Sequence, residues 1–143
     1  MSGFREEQRM IFLKAAESFI NMWYRWGGDD PAGFDCSGSV VAALKACGLL
    51  RKGVDLTADG IWHRFHRDYE KDYPKQGTIA FWFNDAGVAT HVAICISPNF
   101  CITADGGGSF VKTQADAEKH NAFIKYRPIA HRKHKPRYID PFS

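Results

Sequence analysis

Gly33-Phe34-Asp35-Cys36-Ser37-Gly38-Ser39-Val40-Val41-Ala42-Ala43-Leu44 sets a cysteine at the point where a glycine-rich loop gives way to small, apolar residues. Small side chains let a helix approach its neighbours closely. The run from Asp35 to Cys47 therefore reads as a buried central helix, with Gly48 just beyond it as a C-terminal cap. Upstream, Gly27-Gly28-Asp29-Asp30-Pro31-Ala32-Gly33 breaks any periodicity and predicts a loop. Before that loop, Phe12, Ala15, Ala16, Phe19 and Trp23 recur at helical spacing across 5–23. Downstream, Thr57 opens a third helix reaching Tyr69, with Ile61, Trp62 and Phe65 on its apolar side.

After Pro74 the pattern changes. Thr78 to Phe83, His91 to Ile96 and Phe100 to Thr103 read as strands, with turn residues at Asn84–Gly87 and Ser97–Asn99 between them. Gly106-Gly107-Gly108 predicts another turn, and Phe123 to Arg127 a last strand. Helices first and consecutive strands afterwards define an α+β class: N-terminal helices packed on a mostly antiparallel sheet of about five strands. Residues 1–130 are expected to form one domain and 131–143 a basic C-terminal tail.

Composition bounds the function. With 143 residues and 45% hydrophobic content the chain can bury one core unaided by metal or disulfide. Its longest apolar runs are far too short to span a bilayer, and the acidic, polar N-terminus does not resemble an export signal. Synthesis in the cytoplasm is the expectation. The last nineteen residues carry six Lys/Arg against Asp140 alone, whereas the body is slightly acidic. That segment reads as a solvated end; without interleaved aromatics for base stacking, nucleic acid is not an expected partner.

None of Cys36, Cys47, Cys95 and Cys101 forms a C-x-x-C pair, so a zinc ribbon is not expected. Cys47, Cys95 and Cys101 sit in apolar surroundings and read as small core residues, the last two facing each other across a turn. His63 and His66 share a helix face, but no neighbouring set completes a metal site. Cys36 differs. A helix N-terminus presents unpaired amides and the positive dipole end, which together with a nearby imidazolium lower a thiol's usual pKa of about 8.5. A thiolate nucleophile also requires an imidazole to protonate the leaving group. His91, at the start of an apolar strand, is the best candidate. His120, His131 and His134 lie among charged residues and read as surface groups.

Three stretches carry a resemblance: Tyr24-Arg25-Trp26-Gly27-Gly28, Gly33-Phe34-Asp35-Cys36-Ser37-Gly38 and Thr90-His91-Val92-Ala93-Ile94. Together they resemble the signatures of the NlpC-type cell-wall cysteine peptidases, a family with a papain-like fold. Gly77-Thr78-Ile79-Ala80-Phe81, Ala104-Asp105-Gly106-Gly107 and Tyr126-Arg127-Pro128 resemble its flanking segments, the last as in phage-associated members. The resemblance implies Cys36 as nucleophile and His91 as general base and acid. It also implies that Tyr24, Asp35 and Ser37 hold the free amino end of a stem peptide. A carboxylate and two hydroxyls suit an ammonium group. The family places a polar orienting residue about twelve positions after the histidine; here Thr103 stands there, with Asp105 two residues on as a substitute.

The implied activity is hydrolysis of amide bonds in peptidoglycan stem peptides, between D-glutamate and the diamino acid, through a thioester and without metal or organic cofactor. The implied partner is peptidoglycan or its fragments. The enzyme is expected as a monomer with no membrane insertion, reaching the wall by release or in a virion. Two alternatives stay open: the same Cys–His site acting as an amidase, deamidase or acyltransferase, and a catalytically degenerate structural module of a phage virion.

Overall fold

A computed structural model describes residues 2–27, 29–30, 33–105 and 110–143. The turn expected at Gly106-Gly107-Gly108 and the loop positions Gly28, Pro31 and Ala32 lie outside the described residues. Helix α1 spans Ser2–Ser18. A small hairpin of β1 (Asp29–Asp30) and β2 (Gly33–Phe34) leads into α2 (Cys36–Ala46) and then α3 (Ala58–Tyr69). Strands β3 (Glu70–Lys71), β4 (Ile79–Phe83), β5 (Ala89–Cys95) and β6 (Phe100–Asp105) follow. Helix α4 (Gln114–His120), β7 (Phe123–Pro128) and β8 (Arg137–Ile139) complete the chain. Six strands form an antiparallel sheet in the order β3-β8-β4-β5-β6-β7. The α+β reading holds.

Local chemistry accounts for the helix starts. The side chains of Asp35 and Thr57 cap α2 and α3 by accepting from the amides of Gly38 and Gly60. Gly48, past the end of α2, adopts φ +86°, a left-handed conformation that glycine tolerates. Helix α4 is absent from the sequence reading. Its start is nevertheless written in the chain: Thr113 and Asp116 exchange side-chain and backbone bonds as a capping box.

The sheet is covered on both faces, which is why β4 and β5 read as continuous apolar runs rather than alternating ones. On one face Ile79, Phe81, Val92, Ile94 and Ile102 pack beneath the helices with Phe12, Leu44 and Ile61. On the other, Ala80, Trp82, Ala93, Cys95 and Cys101 form a second cluster with Ile129 and Tyr138. Cys95 and Cys101 are register partners, buried and unbridged. The rings of the His63 and His66 pair have structural partners: His63 Nε2 lies 3.2 Å from Asp59, and His66 stacks on Trp62.

The basic tail expected from 131 onward is corrected. Arg137-Tyr138-Ile139 inserts between β3 and β4 as an inner strand, and Ile139, Asp140 and Phe142 are buried. Charge count hid this, because the segment's cations serve specific contacts. Arg137 forms two 2.9 Å hydrogen bonds to Glu70 and lies over the Trp62 ring. Asp140 receives both ends of the Arg9 guanidinium, at 3.0 and 3.1 Å, and so fastens α1 to the chain's end. Gly77, at φ +89°, lets Arg9 pass; a Cβ there would fall 2.7 Å from Arg9 Cγ.

Candidate active site

Two elements deliver the reactive groups. Cys36 is the first residue of α2, where Asp35 accepts the Gly38 amide at 2.6 Å and that of Gly27 at 3.0 Å. The backbone amides of Ser37 and Val92 act on the Cys36 sulfur in favour of its charged form. Val92 follows His91 in the chain, so the strand that carries the imidazole also bears on the sulfur. In β5, His91 pairs with Trp82 and Ala89 with Phe83, leaving Thr90 unopposed. A bulge of this kind bends the strand and re-aims the neighbouring side chain. Cys36 and His91 line one pocket of about 450 Å³, with Tyr24, Asp35, Ser37, Thr90, Asp105 and Arg132 also on its walls.

His91 is buried, 6% exposed, against Trp82 at 5.3 Å and His131 at 5.7 Å. Thr103 Oγ1 lies 3.0 Å from His91 Nε2 and donates to the Val92 carbonyl at 3.3 Å. A hydroxyl has one proton. With that proton on the carbonyl, Thr103 accepts from Nε2–H and leaves the Nδ1 lone pair to act as base. Asp105 stands on the pocket wall with its carboxylate 2.8 Å from Arg127, and its charge favours imidazolium. Thr103→Ala is therefore expected to lower turnover about tenfold, the worth of one such bond, with Thr103→Ser near wild type. Equal rates for the two variants would assign the orienting role elsewhere.

The implied amine-binding residues are also brought together. Tyr24 is buried and anchored through its amide to the Ala122 carbonyl at 2.9 Å. Burial and the nearby Cys36 and Asp35 raise its phenol's pKa. Ser37 Oγ donates to Asp35 Oδ1 at 3.3 Å. Burial pushes the Asp35 carboxyl up, against the bonds from Gly38, Gly27 and Ser37 that pull it down.

Sequence reasoning missed two neighbours. His131, read as a surface group, is half-buried against Trp82 and His91, its Nδ1 2.8 Å from the Pro128 carbonyl. Arg132 follows it into the pocket wall. The only signal was the HRKHK run itself, which resembled a solvated charge cluster.

Electrostatics correct the expectation of a resting thiolate. Burial pushes the Cys36 thiol up to about 11, and Asp35 adds to it; the Val92 and Ser37 amides and Arg132 pull the other way without prevailing. Burial drives His91 down to about 3, aided by Arg132 and His131 and opposed by Asp105. Removing both groups from water outweighs the helix end, so the couple rests neutral at physiological pH. Alkylation of Cys36 by iodoacetamide should stay slow near pH 7 and climb toward about pH 11, since only the thiolate reacts. A rate already at its plateau near pH 7 would show a preformed ion pair instead.

Helices on a six-stranded antiparallel sheet, with a cysteine opening the central helix and a strand-borne histidine on the same pocket, make this an α+β domain. Within it, the NlpC/P60 family profile matches residues 21–140, and the chain belongs to that family. An NlpC/P60 protein from Bacillus cereus superimposes with a TM-score of 0.69 at 17% identity, covering 90% of this chain and 39% of that one. The peptidoglycan hydrolase RipB from Mycobacterium tuberculosis gives 0.70 at 18%, covering 96% and 66%. The P60 domain of a Mycobacterium avium subspecies paratuberculosis antigen gives 0.68 at 17%, covering 98% of both chains. This chain thus spans about two fifths of the Bacillus protein but nearly all of the isolated P60 domain.

Proposed function

We propose that this chain is a cysteine hydrolase that cuts amide bonds in peptidoglycan stem peptides, between D-glutamate and the diamino acid. The observation that carries the reading is one pocket lined by Cys36 at a helix start, by His91 with Thr103 on its Nε2, and by Asp35. Membership of the NlpC/P60 family and the fold shared with the hydrolase RipB support it.

The neutral resting couple sets the order of events. As the sulfur attacks the carbonyl carbon, its proton passes to His91 Nδ1, so proton transfer accompanies carbon–sulfur bond formation. Unpaired amides of a helix start, as at the N-terminus of α2, are suited to hold the developing oxyanion. Thr103, holding Nε2–H, stabilises the ring in the orientation that receives the proton. The imidazolium then gives its proton to the departing amine as the carbon–nitrogen bond breaks. Water, deprotonated by His91, resolves the thioester to a carboxylate and the free thiol. Asp35, Ser37 and Tyr24 hold the substrate's free ammonium group at the other side of the nucleophile.

Digestion of free stem peptides, released from purified peptidoglycan by cleavage of their bond to the sugar, tests the reading by mass spectrometry. Fragments ending in D-glutamate and fragments beginning with the free diamino acid are expected. An unchanged peptide profile from folded protein would overturn it.

A further inference from the structure

The cleft is electrically polarised along its length. Past Asp35 the pocket continues into a depression of about 190 Å³ walled by Asp35, Ser37, Thr57 and Asp55. Past Thr90 and Arg132 it continues the other way into one of about 330 Å³, walled by His131, Lys133 and His134 together with Trp82. Asp35 and Asp55 wall one extension and Lys133, His131 and His134 the other, with Cys36, His91, Asp105 and Arg132 on the pocket between them.

The basic end is built rather than loose. Trp82 Nε1 donates to the His134 carbonyl at 3.0 Å, the Ile129 amide to the Asn99 carbonyl at 2.8 Å, and His131 Nδ1 lies 2.8 Å from the Pro128 carbonyl. Among the described residues, Arg9, Arg127 and Arg137 have carboxylate partners, whereas Arg132 and Lys133 have none. Arg132 nonetheless acts electrostatically on both Cys36 and His91. An unpaired guanidinium on the rim of a reaction site, on a segment whose backbone is held on either side, is suited to a bidentate anion such as a carboxylate.

We propose that Arg132, with Lys133 beside it, forms a carboxylate-binding subsite on the leaving-group side of the cleft, so that the protein prefers peptides whose residue after the scissile bond carries a free carboxylate. The direction rests on the preceding reading, in which the substrate's ammonium group sits at Asp35. A chain anchored there and crossing Cys36 delivers its far end to Arg132. A carboxylate bound at Arg132 also neutralises a positive charge close to His91 as the ring takes up the thiol proton, which links recognition of the product amine's carboxylate to the chemical step.

The test uses two synthetic peptides, L-alanyl-γ-D-glutamyl-diamino acid with the last residue as free acid or as carboxamide. Calorimetric binding to the Cys36→Ala protein and kcat/KM of the active protein are both read. The acid is expected to bind and react about tenfold better, as a charge-assisted pair allows. That ratio should fall to about one in Arg132→Ala, partly recover in Arg132→Lys, and invert in Arg132→Glu. The same acid-to-amide ratio in folded Arg132→Ala would overturn the subsite, as would failure of Cys36→Ala protein to bind either peptide. Acid-selective binding that depends on Arg132, with neither peptide turned over, would uphold the subsite while removing the hydrolase reading.

Discussion

Cys36→Ala is expected to lose stem-peptide hydrolysis by on the order of a thousandfold or more while keeping its fold, because no other group can form the acyl bond. Among the described residues, the remaining cysteines are buried in the core, away from this pocket. The half-buried thiol leaves a small void when removed, so stability should change by about 1 kcal/mol or less. His91→Ala should be equally inactive, but not equally silent in stability. Its ring packs on Trp82 and His131 and bonds Thr103, and its removal leaves the Thr103 hydroxyl short of one partner. A loss of about 1–3 kcal/mol is expected there. Peptide cleavage followed by mass spectrometry, with thermal unfolding by circular dichroism, separates the two effects. Turnover retained in folded Cys36→Ala would end the nucleophile assignment.

What the sequence disclosed followed from short-range chemistry. Asp35 capping a helix of small residues, Thr57 capping another, and apolar runs punctuated by turns are all read within a few residues, and those elements appear where the signals lie. The first helix, by contrast, stops at Ser18, and Trp23, counted into its spacing, bridges to Phe123 instead. The site was legible to the same degree. The motif around Cys36 and the strand around His91 reach one pocket, and Thr103, at the spacing of an orienting residue, lies on the ring. Two matters depended on distance in the chain. The protonation state of the couple is decided by how deeply α2 and β5 bury each other, which no local pattern reports. The last segment was misjudged because Arg137 and Asp140 find their partners at Glu70 and Arg9, more than sixty residues away. Counted by charge, such residues resemble a solvated end. Paired, they turn Tyr138, Ile139 and Phe142 inward.

That pairing makes Asp140→Ala the most damaging change expected away from the cleft. The carboxylate is 1% exposed and accepts from Arg9 Nη1 and Nη2, lies 3.4 Å from Lys75 Nζ, and accepts the Phe142 amide at 3.0 Å. Removing it strands the Arg9 guanidinium, itself 5% exposed, with only Glu6 and the Gln76 carbonyl for partners. Breaking a buried pair from one side costs about 3–5 kcal/mol. Against a typical domain stability of about 5–15 kcal/mol, that loss should lower the melting temperature by on the order of 10 °C. It should also unfasten α1 from the end of β8. Arg9→Met alone should be nearly as harmful, since it strands the carboxylate instead. The double variant Arg9→Met/Asp140→Leu should recover part of the loss, because two apolar side chains leave no buried charge without its counter-charge. Denaturant unfolding of the four proteins closes that cycle. Strictly additive losses would show that the two groups do not depend on each other.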